Sequence, residues 1–374
     1  MKSKISVEAI LCVQAALTIF GGVAVFAADG EGLPFPVVER FENYTIKEGM
    51  PAHKIHAVFK ASDDRLWVGT WNGLLVREKD GRFVRYGTED GLSHKLVLSI
   101  AEHPRTGDLW IGTMRGLNRV SGGKIHSFTQ TDSGLPNNVV YGVDVVGDVV
   151  WAATAAGAGA YDLKTKTWKI YDHNNTVMHE PWCYTVTHST DGKVFIGAWG
   201  GGIIEHDPKL SSFKEYRDPD RDFHYDLVPN DGPINDITSW LTWNDGILWQ
   251  CTYFGFSMYD GKNWKTWVET KTPLPSNFTQ FVWPVKKYCW IGMDKGASTT
   301  DGEYWVNYLQ DEQGRGVMEI HRPGRPVEKR LMPNAMHNYF VLGIWADEKE
   351  VWFATSDGLT RGILNPLATR VAAK

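Results

Sequence analysis

Four histidines recur at related places along this chain: His53, His94, His179 and His337. Neutral imidazole is a good ligand for copper, zinc or iron, so four rings converging on one point could hold a divalent metal, or an anion. A histidine beside an acid could equally serve as the base of a lyase or hydrolase. The related places elsewhere carry Lys95, Asn138, Asn235 and Asn277, and a polar side chain there can simply cap a turn. The four are also out of step: His53 aligns with Asn138 and Asn277, His94 falls one place earlier, and His179 and His337 two places earlier.

A second set is aromatic and charged: Trp71, Arg115, Trp182, Trp199, Tyr253, Phe254, Asp294, Lys295 and Asp357. Flat rings beside acids and cations suit a sugar or another partly apolar ligand, the ring supplying area and the polar groups fixing orientation. Interior packing competes for every tryptophan and claims Trp67, Trp110, Trp151 and Trp249. Trp71 and Trp199 instead sit beside turn glycines. Asp218, Asp220 and Asp222 alternate, with Asp226 close behind, as at the start of a calcium loop. Phe223 stands where that loop needs glycine and no Glu follows at the twelfth place, so a plain acidic loop is expected. No G-x-S-x-G, HExxH, phosphate loop or CxxCH occurs, which leaves a nucleophile elbow, a zincin site and covalent haem without support.

The elements that position these residues are readable from a repeated phrase. Leu66-Trp67-Val68-Gly69-Thr70 returns as Leu109-Trp110-Ile111-Gly112-Thr113 and as Val150-Trp151-Ala152-Ala153-Thr154. Weaker copies centre on Phe195, Trp249, Trp290 and Trp352, at steps of 43, 41, 44, 54, 41 and 62 residues. A period in the forties built of short strands marks a propeller blade. The second unit predicts strands over Val97–Ala101, Leu109–Thr113, Leu117–Val120 and Lys124–Phe128, with glycine turns between them. The expected fold is all-β: a seven-bladed β-propeller of four-stranded antiparallel blades over 35–365. Its last unit stops after Arg361, and Glu39-Arg40-Phe41-Glu42-Asn43-Tyr44 matches an outer strand. That N-terminal strand is predicted to complete the last blade and close the ring, which removes exposed edges.

The two long steps trace to insertions at 218–231 and 310–333 on outer-to-inner connections. The second reads as a hairpin around Pro323-Gly324-Arg325-Pro326, locally basic through Arg315, Arg322, Arg325, Lys329 and Arg330, and is either a solvated flap or a ligand lid. Residues 366–374 form a tail.

Lys2 and Lys4 precede an apolar run from Ala9 to Phe26, and Ala27 and Ala28 offer small cleavage residues. This is the pattern of a signal peptide over 1–28, and it implies a periplasmic or secreted bacterial product. An uncleaved anchor is the competing reading, while Leu11 is too large for a lipoprotein signal at Cys12. Three cysteines then remain, and the places of Cys251 and Cys289 are out of step by about three residues, roughly 10 Å along a strand, so packed free thiols are expected. A net charge of −5 gives no field for nucleic acid.

The phrases G-L-P-x-N-x-V, at Gly134–Val140, and L-W-I-G-T-x-x-G-L, at Leu109–Leu117, resemble the two-component regulator propeller repeat. The resemblance spans nearly the whole mature chain and is clearest in units one to three. It implies the extracytoplasmic sensor region of hybrid histidine kinases, which recognises extracellular ligands, often saccharides. No helix-rich kinase segment follows residue 365, so relay by this polypeptide is not expected. The favoured function is an exported, non-catalytic ligand-binding or sensory propeller, taking a small molecule, a saccharide or a partner protein at its channel mouth. It would work beside a periplasmic or membrane signalling or redox protein. A histidine-based hydrolase or lyase and a structural docking subunit of an envelope complex are the alternatives.

Overall fold

The computed structural model describes residues 32–219 and 232–365. The stretch 1–28 expected as a signal peptide, the tail 366–374 and the acidic loop from Asp220 to Asp231 lie outside the described residues. Seven antiparallel sheets stand in a ring, six of four strands and one of six, counted from the channel outward. The first blade comprises Ile55–Lys60, Leu66–Thr70, Gly73–Arg77 and Phe83–Tyr86. The inner strands of the other six are Val97–Glu102, Val140–Val146, Cys183–His188, Thr238–Asn244, Thr279–Val285 and Val341–Ala346. The seventh blade combines both ends of the chain: Val37–Tyr44 pairs antiparallel with Leu359–Asn365, with Tyr44 opposite Leu359.

The repeated phrase is explained by packing between blades. Its aromatic residue sits on the second strand, buried on both faces, and wedges against the next blade. Trp67 clusters with Val97, Leu109 and Ile111 of blade two, and Trp110 with Val140, Val143 and Val150 of blade three. Trp290 meets Val341, Ile344 and Phe353 of blade seven, and Trp352 meets Ile55, Val58 and Val68 of blade one. Each such ring removes roughly 200 Å² of apolar surface from water, about 5 kcal/mol by area. The glycine two places on is small because the neighbouring inner strand passes over it: a Cβ at Gly292 would stand 2.6 Å from Val341 Cγ1.

The threonine and the later glycine build the turn between second and third strands. Thr113 Oγ1 donates to Gly116 O at 2.9 Å and accepts from Arg115 N at 3.1 Å. The same pair of bonds recurs at Thr70, Thr154, Thr252 and Thr355. The turn then latches onto the next blade. Gly73 N donates to Lys95 O at 2.6 Å, Gly157 N to Pro181 O at 2.5 Å and Gly202 N to Asp236 O at 2.9 Å. Gly358 N to His53 O, at 2.6 Å, carries the latch across the closure from blade seven to blade one.

Segment 310–333 does form a hairpin, Gly316–His321 and Glu328–Leu331, but it adds two strands to the outer edge of blade six. Strand alternation puts its basic tip at the face opposite the turns just described, so the expectation of a ligand lid is corrected. Beyond the hairpin, Asn334 accepts from Phe41 N at 3.0 Å and donates to Phe41 O at 2.6 Å, mimicking one more strand against the closing strand. Cys183, Cys251 and Cys289 are free and buried, and burial pushes their thiols up. Among the described residues no helix is long and apolar enough to cross a membrane.

Candidate functional site

One face of the ring gathers the second-to-third turns and the approaches to the inner strands. Each approach is anchored by a buried apolar residue, Met50, Leu92, Leu135, Met178, Ile234, Leu274 or Met336. Three places before the inner strand, a side chain caps the backbone two residues on. Asn137 accepts from Val139 N at 2.8 Å, Asn235 from Ile237 N at 2.8 Å, Ser276 from Phe278 N at 3.1 Å and Asn338 from Phe340 N at 2.9 Å. His94 is a member of this series: its Nδ1 accepts from Leu96 N at 3.0 Å.

That cap explains why the four histidines do not form one centre. A lone pair of His94 is committed to backbone. His179, earlier in its turn, reaches the outer-strand residue Glu215 at 3.5 Å, and His337 reaches Asp357 at 3.2 Å while its backbone binds Asn43. His53 is exposed and supplies only its carbonyl to the latch. The four rings therefore go to four different surroundings. Among the described residues no three His, Cys, Asp or Glu side chains come together to hold a metal ion.

The aromatic set behaves differently. Every inner strand carries a β-bulge after its first residue, leaving His56, Leu98, Tyr141, Tyr184, Ser239, Gln280 or Leu342 outside the ladder. Tyr141 stacks on Tyr184 at 4.6 Å, and Tyr184 packs on Trp199 at 5.3 Å and on Trp182 at 6.0 Å. Trp199 meets Tyr253 edge-on at 5.3 Å, Tyr253 stacks on Phe278 at 4.3 Å, and Phe278 reaches Phe340 at 6.2 Å. The result is an unbroken aromatic arc across blades three to seven, half-buried throughout, with Trp182 39% exposed. Burial, and next the Tyr141 and Tyr253 phenols, raise the Tyr184 pKa, so the three hydroxyls share one region. Trp182, Trp199 and Tyr253 were legible from their turns. Tyr141, Tyr184, Phe278 and Phe340 were missed, although the second place of each inner strand was the signal that could have found two of them.

Trp71 lies apart from the arc. It is 46% exposed, stacked on His56 at 5.8 Å, with Lys54 Nζ 4.3 Å from its ring centroid. Burial, and then the Lys54 charge, hold His56 down to about 4. Asp294 accepts from Ser276 Oγ at 2.6 Å and Lys295 lies 3.6 Å from Glu269, so both stay on the blade-six rim. Arg115 is exposed at the tip of the blade-two turn.

Residues 49–72 match the family model described as two component regulator propeller. No curated protein matches the chain. The fold is similar to the extracellular domains of two hybrid two component systems of B. thetaiotaomicron. One has a TM-score of 0.65 at 19% identity over 87% of this chain and 42% of its own, and the other 0.65 at 15% over 87% and 40%. The chain thus spans less than half the length of either. It is also similar to a virginiamycin B lyase of Staphylococcus aureus, with a TM-score of 0.61 at 13% identity over 87% of this chain and 99% of that one. The chain is a seven-bladed β-propeller in which residues 49–72 match the two component regulator propeller repeat.

Proposed function

We propose that this protein is an exported, non-catalytic sensory propeller that binds a saccharide or similar ring-bearing small molecule at the aromatic arc and presents the occupied face to a separate signalling protein. The observation that carries the reading is the arc from Tyr141 to Phe340. It combines open ring area with clustered phenol hydroxyls, the combination that holds a sugar by stacking on its apolar face and hydrogen-bonding its edge. The likeness to extracellular domains of two component systems supports placing it outside the cytoplasm.

A lyase reading draws on the likeness to virginiamycin B lyase, but needs two titratable groups converging on one substrate position. The histidine–carboxylate pairs of this face, His179–Glu215 and His337–Asp357, stand in separate blades. A docking subunit would expose a broad apolar patch, whereas the exposed large apolar residues, among them Ile46, Ile170, Leu210 and Leu331, are scattered over several blades.

The test is a fluorescence titration of wild type and of the Trp182→Ala, Trp199→Ala double variant against an oligosaccharide panel. Removing two stacking rings should weaken binding roughly tenfold or more. Equal affinity in the two proteins would remove the reading.

A further inference from the structure

The arc does not extend over blades one and two, and that sector is where unpaired positive charge collects. Three backbone bonds draw it together. Trp71 N donates to Lys54 O at 3.1 Å, Gly73 N to Lys95 O at 2.6 Å, and Met114 N to Leu96 O at 3.2 Å, which brings the Arg115 turn beside Lys95. Lys54, Lys95 and Arg115 are all exposed, and none has a carboxylate partner among the described residues. Of the other cations of this rim, Arg85 pairs with Glu89, Arg217 with Asp236 and Lys295 with Glu269, while Lys47 is exposed next to Glu48 in the approach to blade one.

Several acids of the same face are bonded to other partners. Asp236 holds Arg217 and Asp218 N, Asp294 holds Ser276, and Glu269 holds Asn277 N. Glu180 accepts from Trp182 N, and Asp357 faces His337. The exposed Lys54, Lys95 and Arg115 form a cationic sector over blades one and two of a mouth whose other blades carry the aromatic arc.

Resting on the saccharide reading above, we infer that the ligand is an acidic saccharide, carboxylated or sulfated, its rings on the Trp182–Trp199–Tyr253 arc and its anionic group on Lys54, Lys95 and Arg115. The guanidinium of Arg115 offers a planar fork that matches carboxylate or sulfate oxygens, and the two ammonium groups act as point charges beside it. The Lys54 ammonium already lies over the Trp71 ring face, 4.3 Å from its centroid.

The experiment titrates the full chain, by calorimetry, with uronic-acid tetrasaccharides and sulfated tetrasaccharides. Each is compared with its methyl-esterified or desulfated form, which keeps the rings and removes the charge. Wild type is compared with Lys95→Gln, Arg115→Gln and the double variant, and thermal unfolding confirms that each variant is folded. At least one acidic member should bind, and its uncharged form about tenfold more weakly. Arg115→Gln should lose a similar factor for the acidic member alone. Whether carboxylated or sulfated members bind identifies the anion. Equal binding of charged and uncharged forms, or binding untouched by both substitutions, overturns the inference and leaves the saccharide reading standing. Binding of no member in either series overturns both.

Discussion

His56 follows the first residue of its strand, where the bulge leaves it without a ladder partner, stacked on Trp71 and beside Lys54. Burial lowers its pKa from the ordinary 6.5 to about 4, so the folded protein keeps it neutral where the unfolded chain would protonate it. Between those two values the unfolded state binds more protons, and stability therefore falls as pH drops from about 6.5 toward 4. The penalty is on the order of 2 kcal/mol after allowance for partial exposure. His56→Gln should lower acid sensitivity: its melting temperature should fall less than that of wild type between pH 7 and pH 5. Parallel curves for the two proteins would dismiss this account. At this scale sequence reasoning had the residue types and lacked their directions. His94, a metal candidate by type, is a backbone cap by position, and the alternative of turn capping was the one its neighbours Asn137 and Asn235 support.

The element that organises the mouth is the turn between second and third strands, Thr-x-x-Gly in five blades and Met293-Asp294-Lys295-Gly296 in blade six, and its glycine tolerates no side chain. Gly296 has φ +126, and a Cβ there would stand 2.2 Å from the Tyr308 carbonyl oxygen. Gly122, in an outer hairpin turn, also has positive φ, +56, yet a Cβ would meet nothing within 4 Å. Gly296→Ala should cost more than about 3 kcal/mol, clash added to strain, whereas Gly122→Ala should cost about 1 kcal/mol from strain alone. Urea midpoints of the two variants check this, and similar losses would mean that the turn relaxes freely. Turn chemistry was legible because it is local: the threonine bonds to groups two and three residues away. The 310–333 hairpin was legible as two strands and a tight turn. Its docking on the edge of blade six was not, since pairing with Trp305–Gln310 depends on which edge lies open.

Closure is a property of the whole molecule, and Phe41 carries much of it. The ring is buried against Tyr308 at 6.1 Å and Phe353 at 6.4 Å, while Val38 N donates to the Tyr308 hydroxyl at 2.9 Å. The closing strand is thus tied to blade six as well as to its own sheet. Phe41→Ala should cost roughly 3–5 kcal/mol, measured by urea unfolding. A loss under about 1 kcal/mol would show that the ring of blades holds without this wedge.

From its residues alone the chain determined seven units, their strand order and the strand that fastens the last to the first. These rest on periodic burial and on turns whose bonds span a few residues, and such information is written locally and repeated. Only the tertiary structure decided which side chains share a surface. The bulge in each inner strand, and the path of each approach, set whether a ring joins the arc, caps a turn or meets an outer strand. Those outcomes arise between blades some forty residues apart, where contact is governed by closure of the circle and not by any neighbour along the chain.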